Sequence, residues 1–61
     1  MNNLKQLRLN AQFSQERLAE EMQVSQQAIA KWENGSSMPT ADKFPKLAQV
    51  LGCTIDELFR A

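Results

Sequence analysis

The chain has 61 residues, 43% hydrophobic and 23% charged, and its seven Lys/Arg balance its seven Asp/Glu. That length makes one small domain that buries only about 60% of its unfolded surface, and the zero net charge lacks the basic excess usual in nucleic-acid-binding domains. With no histidine and a single cysteine, the chain has no Cys/His nucleophile pair, no Cys/His metal site and no intramolecular disulfide.

The opening MNNLKQLRLN has no apolar h-region, and no stretch nears the roughly 20 apolar residues of a membrane span. A soluble, non-exported, cytoplasmic protein is the expectation. Asn2 or Asn3 is the expected N-cap of a first helix running to about Asn10. Leu4, Leu7 and Ala11 form its buried stripe, and Phe13 closes the loop behind it. A second helix is expected from about Gln15 to Met22, with Ser14 as N-cap and Glu16 in the first turn, where the helix dipole favours a carboxylate. Its Leu18, Ala19 and Met22 share one face. Gln23-Val24 makes a tight turn, Val24 plugging the crossing of two helices. Ser25 stands as N-cap of a third helix, about Gln26 to Asn34, which buries Ile29 and Trp32 with Ala28 or Ala30. Gly35 supplies the left-handed residue that ends it.

After the polar loop Asn34-Gly35-Ser36-Ser37, Thr40 is the expected N-cap of a fourth helix with the stripe Phe44, Leu47, Ala48, Leu51. Pro45 conflicts with that pattern, so either the helix starts late or its first turn is distorted. Gly52 ends it, Cys53 fills the next turn as a small hydrophobe, and Thr54-Ile55-Asp56-Glu57 is a capping box for a last short helix. The fold class is therefore all-α: a compact bundle of five short helices, one domain over residues 1–61, with a helix-turn-helix at about 15–34. Its core is Leu4, Leu7, Leu18, Ala19, Val24, Ile29, Trp32, Leu47 and Leu51.

A helix, a short turn and a second helix at a steep angle is the arrangement that reads DNA. The outward face of the third helix offers Gln26, Gln27 and Lys31. A glutamine amide can bridge N6 and N7 of adenine in the major groove, at about 1–3 kcal/mol of discrimination per good pair. Base contacts concentrate at the N-terminal end of such a helix, so Gln26 and Gln27 are the expected readers, with Lys31 reaching a base or a phosphate. Trp32 faces inward and has no second aromatic nearby with which to form a single-strand stacking surface. Lys5, Arg8, Arg17 and Lys31 fall in the first three helices, while Asp42, Asp56 and Glu57 fall in the last two. Glu16, Glu20 and Glu21 dilute the basic half, so non-specific affinity should be modest. No residue pattern points to catalysis.

The set Gln15, Leu18-Ala19, Val24-Ser25, Ile29, Trp32-Glu33 and Gly35 stands in register. It is flanked by Leu4, Leu7 and Arg8 before it, and by Leu47-Ala48, Leu51-Gly52 and Ile55 to Phe59 after it. This pattern resembles the Cro/cI-type (XRE) helix-turn-helix repressors of phages and bacteria, with their lambda-repressor-like domain, over essentially the whole chain. The resemblance implies a partly buried pair between Arg8 and Glu33 that ties the first helix to the end of the third. It also implies phosphate contacts from Gln15, Asn34, Ser36 and Ser37. The chain departs from the family at Gln23, where glycine is usual and another residue costs on the order of 1 kcal/mol.

The implied function is that of a sequence-specific double-stranded DNA-binding regulator, a repressor acting as a homodimer on a near-palindromic operator. Its two recognition helices would enter successive major grooves about 34 Å apart. Ile55, Leu58 and Phe59 are candidates for the dimer contact, although core packing alone could use all three. No cofactor, metal, membrane or small-molecule ligand is expected. The alternative reading, which the zero net charge favours, is a protein-interaction module such as an antitoxin-like partner.

Overall fold

In the computed structural model, residues 3–59 are described. Five α-helices follow one another, α1 (Leu4–Asn10), α2 (Gln15–Met22), α3 (Gln26–Asn34), α4 (Phe44–Leu51) and α5 (Ile55–Leu58), with a 3₁₀ turn at Ala41–Lys43 leading into α4. The all-helical fold expected from the periodicity is the one observed. α2 and α3 pack together more extensively than any other pair of helices and form the helix-turn-helix.

Serine hydroxyls start both helices of that unit. Ser14 Oγ accepts the Arg17 N–H at 2.9 Å, and Ser25 Oγ accepts the Ala28 N–H at 3.1 Å, each satisfying one of the donors that a helix start leaves without a partner. The ends share a second device, a residue with positive φ followed by a return of the chain onto the last turn. After α2, Gln23 (φ 58°) donates to Glu20 O and Val24 donates to Ala19 O. After α4, Gly52 and Cys53 donate in the same way to Gln49 O and Ala48 O. Gln12 (φ 64°) does so after α1, donating to Leu9 O while Phe13 donates to Arg8 O. Sequence reading anticipates the left-handed Gln23, from the glycine usual there, but not the left-handed Gln12.

Two local expectations are corrected, and an alternative left open is decided. Asn3 occupies the N-cap position of α1, yet its side chain makes no capping bond. It donates instead to the Glu57 carbonyl at 3.0 Å, joining the start of the chain to α5. Asn2 lies outside the described residues. Thr40 precedes the 3₁₀ turn without a side-chain capping bond, and Lys43 is the N-cap of α4. The Thr40 hydroxyl, a backbone hydrogen bond and Lys43 together hold the Asp42 carboxyl below its ordinary pKa. Pro45 falls in the first turn of α4, where a missing N–H costs nothing, so the helix starts late and the 3₁₀ turn takes up the distortion. The Thr54–Glu57 capping box forms in both directions.

Each helix contributes one fully buried side chain to the core: Leu4, Leu18, Ile29, Leu47 and Leu58. Ala19, Met22, Trp32, Ala48 and Leu51 surround them. Leu7 and Val24, expected in the core, pack against its edge and stay partly exposed. Leu58 is corrected in the opposite sense. It is fully buried within this chain and cannot meet a second protomer without leaving the core.

Gln23 bears a Cβ where the backbone prefers none. Gln23→Gly is expected to raise the stability of the domain by about 0.5–1 kcal/mol, the left-handed penalty less the extra chain entropy of glycine. Urea unfolding measures it, and a lower midpoint would show that the Gln23 side chain stabilises the turn.

Candidate nucleic-acid interface

The helix-turn-helix leaves one polar surface outward. Ile29 and Trp32 turn α3 inward, so Gln26, Gln27 and Lys31 are exposed on the opposite side. The two glutamines occupy the first turn of α3, immediately after its serine cap, and Lys31 lies one turn beyond Gln27. Ala30 and Asn34 extend the row begun by Gln26, because residues four apart share a helix face.

The far end of α3 is clamped from below. Arg8 Nε donates to Glu33 Oε2 at 2.5 Å and its Nη2 to Glu33 Oε1 at 3.4 Å, while Nη1 donates to the Phe13 carbonyl at 2.7 Å. Gln15 Nε2 completes the group by donating to Glu33 Oε1 at 3.0 Å. The Arg8 and Glu33 side chains are only 8% and 6% exposed. Among the described residues, no buried side-chain nitrogen or oxygen lacks a partner. This cluster draws together α1, the loop after it, the first residue of α2 and the end of α3. The links from Gln15 to Glu33 and from Arg8 to Phe13 are not visible in the sequence. The only hint is arithmetic: five guanidinium donors exceed what one carboxylate accepts.

The loop after α3 is ordered by its own polar groups. Asn34 Oδ1 accepts the Ser36 N–H at 2.8 Å, and Gly35 (φ 84°) makes the left-handed turn that brings the Ser36 and Ser37 N–H groups towards Lys31 O. The side chains of Asn34, Ser36 and Ser37 remain exposed. Gln15 is partly exposed at the start of α2 and keeps one amide hydrogen beyond the one given to Glu33.

Charge is distributed otherwise than the sequence suggests. Arg17 is shared between Glu20 at 3.5 Å and Glu21 at 3.0 Å on the exposed side of α2. Arg8 is committed to Glu33, which leaves Lys5 and Lys31 as the cations of α1–α3 without an ion pair among the described residues. The later part of the chain is not acidic either, because Lys43 and Lys46 stand beside Asp42 around the start of α4. Cys53 is partly buried; burial first, and then the Glu57 carboxylate, push its thiol pKa up. Among the described residues no group of three His, Cys, Asp or Glu side chains could hold a metal ion, and no helix is long and apolar enough to cross a membrane. Of the residues expected at a dimer contact, Ile55 and Phe59 are 41% and 50% exposed, with the Phe59 ring 5.1 Å from that of Phe44.

Arg8→Ala would strand the Glu33 carboxylate in a site with little water. The expected cost is about 3–5 kcal/mol, enough to unfold much of a domain this small, as read by thermal denaturation. A cost under about 1 kcal/mol would mean that the pair is solvated.

Comparison with known proteins places this geometry. The family model for the helix-turn-helix matches residues 4–58, from the first residue of α1 to the last of α5. The chain is 42% identical over 55 residues, 90% of its length, to the HTH-type transcriptional activator BcrR of Enterococcus faecalis. It is 51% identical over 37 residues, 61% of its length, to the 26 kDa repressor protein of Escherichia phage HK022. These alignments span 27% and 16% of the two relatives, so the chain covers only a small part of the length of each. The chain belongs to the Cro/cI-type (XRE) helix-turn-helix family.

Proposed function

We propose that this domain is a sequence-specific, double-stranded DNA-binding transcriptional regulator whose α3 enters the major groove. The observation that carries this reading is the placement of Gln26 and Gln27: two exposed amides in the first turn of a helix whose other end is held by buried hydrogen bonds. A rigid helix presenting bidentate amides is what discrimination between base pairs requires. Lys31, Ser36, Ser37 and Asn34 stand where they would contact the backbone and set the docking register without reading sequence.

The working form is a homodimer. A half-site read by so short a helix supplies few contacts, and the neutral chain adds little non-specific attraction, so two linked half-sites are needed for useful affinity. Ile55 and Phe59, apolar and half-exposed at α5, are the surface proposed for that contact. Occupancy of an operator overlapping a promoter would exclude polymerase, which makes repression the simplest outcome. One of the two relatives carries the name of an activator and the other that of a repressor. This function places the domain in the cytoplasm with the DNA.

Selection of bound duplexes from a random pool at low salt tests the proposal. The expected result is a motif with two-fold symmetry and adenines under Gln26 and Gln27. No enrichment above background would overturn it and favour a protein partner for the same surface. With the motif in hand, Gln26→Ala is expected to relax preference at one or two positions, at about 1–3 kcal/mol. Ser36→Ala should weaken all duplexes alike. Equal effects of the two substitutions on sequence preference would refute the division between reading and positioning residues.

A further inference from the structure

Four of the five helices are followed by a residue whose own N–H is engaged: Ala11 donates to Leu7 O, Gln23 to Glu20 O, Gly52 to Gln49 O and Phe59 to Asp56 O. α3 is the exception. Ser36 and Ser37 donate to Lys31 O, and the Gly35 N–H has no acceptor among the described residues. That nitrogen directly follows an exposed asparagine, Asn34. We infer that Asn34–Gly35 is a site of spontaneous deamidation, in which water converts the Asn34 amide to a carboxylate and withdraws the domain from DNA. The effect on DNA rests on the DNA-binding reading above; the modification does not.

Asn34 Oδ1 accepts the Ser36 N–H at 2.8 Å, which holds the side-chain carbonyl against the peptide it must meet. The same bond draws electron density from Cγ and has the length at which a donor stabilises a developing oxyanion. Gly35 has no Cβ to shield its nitrogen, and a methyl group there would meet no atom within 4 Å, so the loop has room for a cyclic imide. In the reaction the Gly35 nitrogen, its proton lost to solvent base, attacks Asn34 Cγ. The bond from Cγ to Nδ2 breaks, and ammonia leaves with a proton from water. Water then opens the imide at either carbonyl, leaving aspartate or isoaspartate at position 34. The sum is one amide and one water consumed, one carboxylate and one ammonium formed. Asn10 is the internal comparison: it too ends a helix, but Ala11 after it carries a Cβ and spends its N–H on Leu7 O. At position 34 the new negative charge lies on the helix face that carries Gln26 and Ala30. In a chain of zero net charge no excess of cations offsets it.

The test is ageing of the purified chain at mildly acidic and mildly alkaline pH, followed by peptide mapping with mass spectrometry. Asn34 is expected to gain the mass of NH₂ exchanged for OH, to take that oxygen from isotopically labelled water, and to react faster at the higher pH. Its rate should exceed that of Asn10 by about 10-fold, the factor that one backbone hydrogen bond broken on the way to the transition state represents. Asn34→Gln should remove the modification, because the longer side chain closes a ring more slowly. Reaction of Asn34 no faster than that of Asn10 would overturn the site. The modified protein, separated by charge, and Asn34→Asp should both bind the selected duplex about 3- to 10-fold more weakly than fresh protein at low salt, the gap narrowing as salt rises. Thermal melting of Asn34→Asp should match that of the wild type, since position 34 is exposed and aspartate keeps the oxygen that accepts from Ser36. Undiminished affinity of fully modified protein would overturn the effect on DNA. Absence of any duplex binding by fresh wild-type chain would overturn the DNA-binding reading and that effect together, while the mass readout would still decide the modification.

Discussion

The hydrogen-bonded cluster of Arg8, Glu33 and Gln15 is the constraint on which the rest of the structure depends. A domain of this size has too little apolar surface to fix every helix angle by packing alone. Here one guanidinium and one carboxylate, both almost out of water, lie where α1, the start of α2 and the end of α3 converge. Such a pair adds little net stability, because removing two charges from water costs about what their attraction returns. Its directional bonds nevertheless allow only one arrangement of the three elements. That arrangement points the other end of α3, with Gln26 and Gln27, outward.

Around this polar point the apolar core is economical. One fully buried side chain comes from each of the five helices, so the loss of any helix would open the centre. Short helices also carry a large fraction of unsatisfied ends, and serine caps, a capping box and left-handed returns satisfy them here. Two of the left-handed positions are glutamines rather than glycines. The strain at Gln12 and Gln23 is tolerated because each return brings an apolar residue, Phe13 or Val24, against the core.

What was legible in the sequence was whatever is encoded locally. α2 and α3 have the bounds read from their serine caps and apolar spacing, and the capping box at Thr54 needs only four adjacent residues. The outward placement of Gln26, Gln27 and Lys31 follows from the inward placement of Ile29 and Trp32. Among features that depend on distant partners, the Arg8–Glu33 pair was legible only through the family resemblance, and others were not legible at all. Asn3 looks like a cap and instead bonds to Glu57, fifty-four residues away. Leu58 looks like spare apolar surface on a four-residue helix, yet it is the fifth member of the core. Counting charges along the chain also misleads, since Arg17 spends its charge on its own helix and Arg8 spends its charge on Glu33, leaving Lys5 and Lys31 as the cations of α1–α3 without an ion pair among the described residues.

The claim that the Arg8–Glu33 pair sets geometry more than it stabilises is tested most directly by replacing both partners together. Arg8→Met with Glu33→Leu exchanges the ion pair for apolar groups of similar volume. Stability by urea unfolding and affinity for the selected duplex would be measured on the same protein. The account predicts a folded domain, far less destabilised than Arg8→Ala, whose duplex affinity and sequence preference fall because α3 is no longer held at one angle. A double variant that binds the same duplex with undiminished affinity and preference would contradict it.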